Sequence, residues 1–326
     1  MAELERTTDI ENRGIGISAA DIENREIREP AEDEHDRGNR ESVEDGHDRG
    51  NGKSVSDGEN RIYREAVSDG CDLISRKNRA DSKTGRRERI VVLSGRMQML
   101  ADMVTAGNSV ADVGCDHAFL PIYLVQTGRC PGCLAMDVRK GPISGAEEHI
   151  ASYGLEEYIE TRLSDGLSAY HKGEAQTLVC AGMGGRLMER ILTEGGEKTR
   201  AFSELILQPQ SEIPEFRIFL RAAGFLITEE EAVCEDGKYY FAMKAVYKGR
   251  DLSMTPPENE LHDLYGKQLL LRKHPVLRQY LLKRRQTVEE LIIQLGQNGS
   301  RKSEARKREL SLERRHLESA LDLLQD

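Results

Sequence analysis

Between about residue 89 and residue 248, short apolar runs alternate with amphipathic stretches, and this alternation limits the fold more than any other feature of the chain. The apolar runs predict strands at 109–113, 133–137, 159–163, 177–181, 205–208, 225–233 and 239–247. The amphipathic stretches predict helices at 94–105, 116–127, 141–153, 185–195 and 212–223, with Ser94 as N-cap of the first. Strands that alternate with helices close as a mainly parallel sheet with helices on both faces. The last two strands are joined by Glu235-Asp236-Gly237-Lys238, a hairpin turn, so the sheet is expected to end in an antiparallel pair.

The flanks read differently. Residues 1–85 hold 14 basic and 22 acidic side chains, a net of −8 out of −10 for the whole chain. They also repeat: Asp9-Ile10-Glu11-Asn12-Arg13 returns at 21–25, and His35-Asp36-Arg37-Gly38-Asn39 at 47–51. Each unit has too few apolar residues to offset the entropy of ordering, which predicts a disordered acidic tail over 1–88. After 89–249, Pro256-Pro257 opens a helical segment over 250–326. Leu277, Leu281, Val288, Leu291 and Leu295 form a heptad seam, with Arg284 in the missing apolar position, and Leu310, Leu317, Leu321 and Leu324 continue it after Asn298-Gly299-Ser300. Two such helices joined by a short loop fold back as an antiparallel pair. The segment has 15 basic and 12 acidic residues, with Lys283-Arg284-Arg285 as one of its clusters. Charge alone leaves two readings open, a solvated coiled-coil surface or a contact for nucleic-acid phosphates.

No run approaches the roughly 20 apolar residues needed to span a bilayer, and the first residues carry no apolar signal core, so a cytoplasmic protein without membrane contact is expected. Cys130-Pro131-Gly132-Cys133 has no second ligand pair, and a turn is expected there rather than a metal site. The oligomeric state is not legible, and a monomer is compatible with everything above.

The chemistry centres on Val110-Ala111-Asp112-Val113-Gly114-Cys115-Asp116-His117, a buried strand that opens through a glycine turn into a helix. In α/β sheets this is where nucleotide-like ligands bind. The second and third glycines of a dinucleotide fingerprint are missing. Asp112 and Asp116 suit a cationic ligand without phosphates, the profile of S-adenosylmethionine. Asp137 ends the next strand, where a carboxylate can accept ribose hydroxyls, and Asp165-Gly166 ends the third, where an Asp can meet an adenine amine. The fourth strand runs into Ala181-Gly182-Met183-Gly184-Gly185, which places bare backbone at the pocket rim. Gln208 and Pro209 end the fifth strand and are expected at the same mouth.

These residues carry a family resemblance. LSGRMQMLADMV at 93–104, VADVGCDHAFLP at 110–121, GPISGA at 141–146, LSDGL at 163–167, AGMGG at 181–185, LILQPQ at 205–210 and EDGKYY at 235–240 resemble the bacterial tRNA adenine-22-N1 methyltransferases. The resemblance covers nearly all of residues 90–326. It implies an α/β, Rossmann-like class I methyltransferase sheet followed by a C-terminal α-helical coiled-coil hairpin. It also implies S-adenosylmethionine-dependent methylation of N1 of an adenine in the D-arm region of tRNA. By motif position, Gly114, Asp116 and His117 would frame the methionine end of the cofactor, Asp137 the ribose, and Asp165 with Gly166 the adenine. Ala181, Gly182 and Met183 would lie beside the methyl group, with Asp116, Gly182 and Met183 as the residues nearest the chemistry. Substrate contacts are expected from Arg96, Gly184, Gln208, Pro209, Tyr239, Lys283, Arg284 and Arg285, with Tyr239 or Tyr240 as a stacking partner for a flipped base. The rival readings are a methyltransferase of another RNA or of protein, and a non-catalytic S-adenosylmethionine-binding scaffold.

Overall fold

The computed structural model describes residues 90–249, 260–296 and 300–325. The expectations for 1–88 and for the Pro256-Pro257 boundary lie outside the described residues. All the described residues fall in one compact unit.

Seven strands form one sheet: β1 (Val110–Val113), β2 (Cys133–Asp137), β3 (Ile159–Leu163), β4 (Thr177–Met183), β5 (Glu204–Pro209), β6 (Phe225–Glu235) and β7 (Lys238–Tyr247). Their order is β3-β2-β1-β4-β5-β7-β6. The first five run parallel, and β7 pairs antiparallel with both β5 and β6. Side-chain alternation divides the core into two layers. Val110, Ala135, Val179 and Ile206 face α1 (Gly95–Met103), α2 (Phe119–Gln126) and α3 (Lys140–Tyr153). Ala111, Val113, Leu134, Met136, Leu178, Leu205 and Leu207 face α4 (Gly185–Gly195) and α6 (Ile213–Ala222), with α5 (Glu197–Arg200) between them in sequence. Ser94 caps α1 as expected, its side chain accepting the Met97 N–H.

A third core joins the sheet to the C-terminal helices α7 (Glu260–Tyr265), α8 (Lys267–Leu271), α9 (Pro275–Gly296) and α10 (Arg301–Leu323). Leu277, Leu281 and Val288 of α9 share one buried cluster with Leu310, Leu317 and Leu321 of α10, and the pairing of Arg284 with Glu313 and the approach of Lys307 to Gly296 show that the two helices run antiparallel. The joint to the sheet is ionic. Arg217 Nε lies 2.8 Å from Glu230 and Arg221 lies 2.5 Å from Asp263, while Arg272 and His274 both reach Glu231. Arg217 also donates to the carbonyls of Asp263 and Leu264, so a buried charge on the sheet domain is satisfied by backbone of α7.

Candidate functional site

The parallel register brings the C-terminal ends of β1, β2, β3 and β4 out along one edge. At that edge lies a cavity of about 660 Å³. Asp112, Gly114, Asp116, His117, Asp137, Asp165, Gly166, Ala181, Gly182 and Met183 all line it, as does Arg96 from α1.

The chain leaves β1 at Gly114, with φ +80°. The N–H groups of Gly114 and Cys115 both donate to the Met136 carbonyl, at 2.8 and 3.0 Å, which pins the turn against β2. Asp116, His117 and Ala118 then hold φ of 24°, 61° and 57°. Three successive non-glycine residues in the left-handed region cost of order 1–3 kcal/mol each, and such strain collects at ligand sites. The helix expected from 116 therefore begins only at Phe119. Apolar spacing cannot reveal this, because the three residues fit a helical pattern while their backbone does not. The His117 ring packs near His149, centroids 5.3 Å apart, and near Phe119 at 5.9 Å.

Asp112 is buried, and among the described residues no cation lies within 4 Å of it. Burial, then Asp137, then Asp116 push its carboxyl up to about 7. A buried carboxyl beside two further carboxylates favours a cationic ligand. Asp137 is also buried; its Oδ1 accepts the Arg139 N–H at 2.8 Å. Asp165 is more open and meets Arg190 at 3.2 Å.

β4 extends two residues further than expected, to Met183. Its register against β5 slips between Ala181 and Met183, which makes Gly182 the extra residue of a bulge, at φ +77°. The bulge turns Met183 back over Gly114, with Met183 Sδ 3.7 Å from Cys180 Sγ.

The expected substrate residues separate. Gln208 and Pro209 are buried behind the rim, not exposed at the mouth; Gln210, two residues on, lines the cavity instead. Gln208 turns inward because its Oε1 accepts the Gly182 N–H at 3.2 Å. Gly184 is the N-cap of α4 and sits against Ser211, away from the cavity lining. The Tyr239 ring is packed edge-on against Tyr280, with Lys283 Nζ 5.6 Å from its centroid, so it is not a free stacking face. Tyr240 lies under Arg96, at 5.6 Å. In the basic cluster Arg284 forms a bidentate pair with Glu313, at 2.6 and 3.0 Å, inside the helical seam. Lys283 donates to the Gly237 carbonyl at 3.3 Å, and Arg285 lies 3.9 Å from Glu289. Sequence reasoning missed Met97, Leu100, Phe119, Val138 and Leu187, which form much of the apolar lining. Their apolar character looks like core in sequence, and only Val138, directly after Asp137, carried a positional signal. At the CxxC, Cys130 and Cys133 are buried with Sγ atoms 3.1 Å apart, and their mutual hydrogen bond and burial hold the Cys133 thiol well above its ordinary range.

Known proteins share this arrangement. Residues 93–243 match the family described as "Methyltransferase domain". A tRNA (adenine(22)-N(1))-methyltransferase of Bacillus subtilis is 32% identical over 205 residues, which cover 63% of this chain and 86% of the relative. The crystal structure of the Bacillus subtilis m1A22 tRNA methyltransferase is similar at TM-score 0.63 and 30% identity, over 71% of this chain and 99% of that one. A Streptococcus pneumoniae chain solved in complex with S-adenosyl-L-methionine is similar at TM-score 0.61 and 31% identity, over 71% and 100%. With that identity across nearly the whole of those relatives, and the strand-end carboxylates gathered at one cavity, the chain belongs to the tRNA (adenine(22)-N(1))-methyltransferase family.

Proposed function

We propose that this protein methylates N1 of adenine 22, in the D-arm region of tRNA, with S-adenosylmethionine as methyl donor. The observation that carries the reading is the cavity at the strand ends, where Asp112, Asp116, Asp137 and Asp165 gather beside the Gly182 bulge in a chain of this family. Such a group suits a sulfonium and an ammonium, and the donor set of the cavity fits the rest of the molecule.

When bound, the cofactor supplies an electrophilic methyl group on sulfur. Asp112 and Asp116 would face its cationic methionine end. Asp137, with one oxygen on the Arg139 N–H, keeps the other for ribose hydroxyls. Asp165 and Gly166 would hold the adenine end, and Val138 and Leu187, which line the same cavity, would supply apolar walls. Ala181, Gly182 and Met183 border the place where the methyl group is passed.

Adenine N1 has a free lone pair at neutral pH, so no side chain needs to remove a proton first. The residues have to orient N1 and exclude competing geometries. N1 lies on the Watson–Crick edge, so the target base must be unpaired or flipped. Positive charge then appears on the purine, and the carbonyls of the Gly182 bulge and the Asp116 carboxylate offset it. The helical hairpin adds a basic surface for tRNA phosphates, and a cytoplasmic location is inferred from the proposed tRNA substrate. The test is methyl transfer to a tRNA transcript with adenine 22 replaced by guanine, with the product mapped by nuclease digestion and mass spectrometry. Loss of transfer is expected, and undiminished transfer contradicts the site assignment.

A further inference from the structure

One wall of the cavity holds a three-way junction whose hydrogen bonds the roles above do not use. Gln208 is fully buried, and its Oε1 accepts two hydrogen bonds, from Gly182 N–H at 3.2 Å and from Arg96 Nη1 at 3.1 Å. Its Nε2 donates to the Pro209 carbonyl at 3.3 Å, which sets the orientation of the amide. Arg96 sits in the first turn of α1. That turn is tied to β6 by Glu235, whose carboxylate accepts the N–H groups of Gly95 at 2.7 Å and Arg96 at 3.4 Å.

The arginines of the cavity differ in one respect. Arg139 lies 3.5 Å from Asp137, and Arg190 lies 3.2 Å from Asp165. The Arg96 guanidinium has no carboxylate within 4 Å among the described residues, although four aspartates share the cavity. Even the adjacent Glu235 is engaged by the backbone of α1, while the guanidinium turns away to a neutral amide and the face of Tyr240. A half-buried guanidinium held this way is rigid, keeps most of its N–H donors free, and lacks a counter-ion. The cavity is therefore polarised, acidic where a cation binds and cationic beside the bulge at Gly182.

We propose that Arg96 is the anion receptor of this cavity, binding an oxyanion of the reacting pair next to the methyl-transfer bulge, with Gln208 as the positioning residue that couples its occupation to the shape of Gly182. The inference rests on the proposed function for the identity of that pair. Two groups have the required chemistry: the carboxylate at the methionine end of the cofactor, and a phosphate flanking the target adenosine. Either would accept a fork of charge-assisted hydrogen bonds from Arg96. Because Arg96 and Gly182 share one acceptor atom, a shift of the guanidinium is transmitted to the bulge without any contact between ligand and Gln208.

The experiment uses the full chain and two neutralised probes. One is S-adenosylmethionine against its decarboxylated analogue, read as Kd. The other is a tRNA transcript against the same transcript with a methylphosphonate 5′ to the target adenosine, read as kcat/KM. The native protein should disfavour one of the neutralised probes by about tenfold or more, and that probe identifies the anion. Arg96→Gln should erase the discrimination, and Arg96→Lys should keep part of it. Gln208→Leu should lower both discrimination and kcat. Gln208→Glu, which keeps the acceptor oxygen but pairs with the guanidinium, should recover kcat without recovering discrimination. If the native protein discriminates against neither probe, or Arg96→Gln discriminates as the native protein does, the proposal is overturned. Failure of the functional reading shows on a different readout, transfer to the guanine-22 transcript.

Discussion

Met183 lies directly over Gly114: a Cβ on Gly114 would overlap the Met183 methyl group. The relationship ties the turn after β1 to the bulge at the end of β4, two elements about 70 residues apart in sequence. Gly114→Ala meets two obstacles. The Met183 side chain can swing away, but φ +80° cannot be relieved. The substitution should cost about 1–2 kcal/mol of stability and a larger share of cofactor affinity. Adding Met183→Ala should remove the overlap and leave the backbone penalty. Thermal melts and titration calorimetry on the single and double variants check this; full recovery of affinity in the double variant would show that the dihedral does not matter.

Asp112 gives a pH dependence with a definite sign. Its carboxyl is raised from 3.8 to about 7 in the folded chain, so the folded state holds that proton more tightly than the unfolded one. The cofactor-free protein should therefore lose stability from this group as pH rises from about 4 to about 7, and the penalty should be complete above that. Asp112→Asn should raise the melting temperature at about pH 8 and change it little at about pH 5. The same variant should bind S-adenosylmethionine more weakly, and native affinity should fall as pH drops below about 7. A variant less stable than the native protein at the higher pH would contradict the assignment.

Asp137 is expected to act by reach and charge. Asp137→Ala should weaken cofactor binding by about 10- to 100-fold, in line with loss of charge-assisted hydrogen bonds. Asp137→Glu should remain close to native, since the longer arm keeps an acceptor at the strand end. Equal affinity for Ala and Asp, measured by calorimetry, would remove Asp137 from the ribose site.

Arg284 and its neighbours should respond differently. Glu313→Ala leaves the partly exposed Arg284 guanidinium without its partner and should destabilise by about 1 kcal/mol, read in urea melts. Lys283→Gln with Arg285→Gln should leave the fold intact while weakening tRNA binding and flattening its dependence on salt by about two units of log–log slope. Arg301, Arg308 and Arg315 recur every seven residues along α10, are exposed, and have no carboxylate within 4 Å among the described residues. Neutralising these three should have a larger effect than the α9 pair, because no ion pair has to be broken before a phosphate is bound. An unchanged salt slope in both sets would move the phosphate contact off the hairpin.

Much of the architecture follows from local patterning. The continuous apolar runs fix the central strands, which are buried on both faces, the heptads fix the helical pair, and Ser94 marks the start of α1. The strand-end aspartates were legible for the same reason: a βα turn places the last strand residue at the ligand edge wherever the sheet is parallel. Periodicity encodes only which face of an element a residue occupies. It does not say what the packing brings opposite that face. Gln208 reads as a mouth residue until the Gly182 bulge and Arg96 claim its oxygen, and Tyr239 reads as a stacking face until Tyr280 and Lys283 cover it. Arg284 reads as a spare cation until Glu313 pairs with it across the seam. At the opening turn, the sequence alone determined a glycine between two aspartates after a buried strand. Tertiary structure decided the left-handed backbone of Asp116 and His117, and the raised carboxyl of Asp112, because strain and desolvation depend on neighbours brought together by folding.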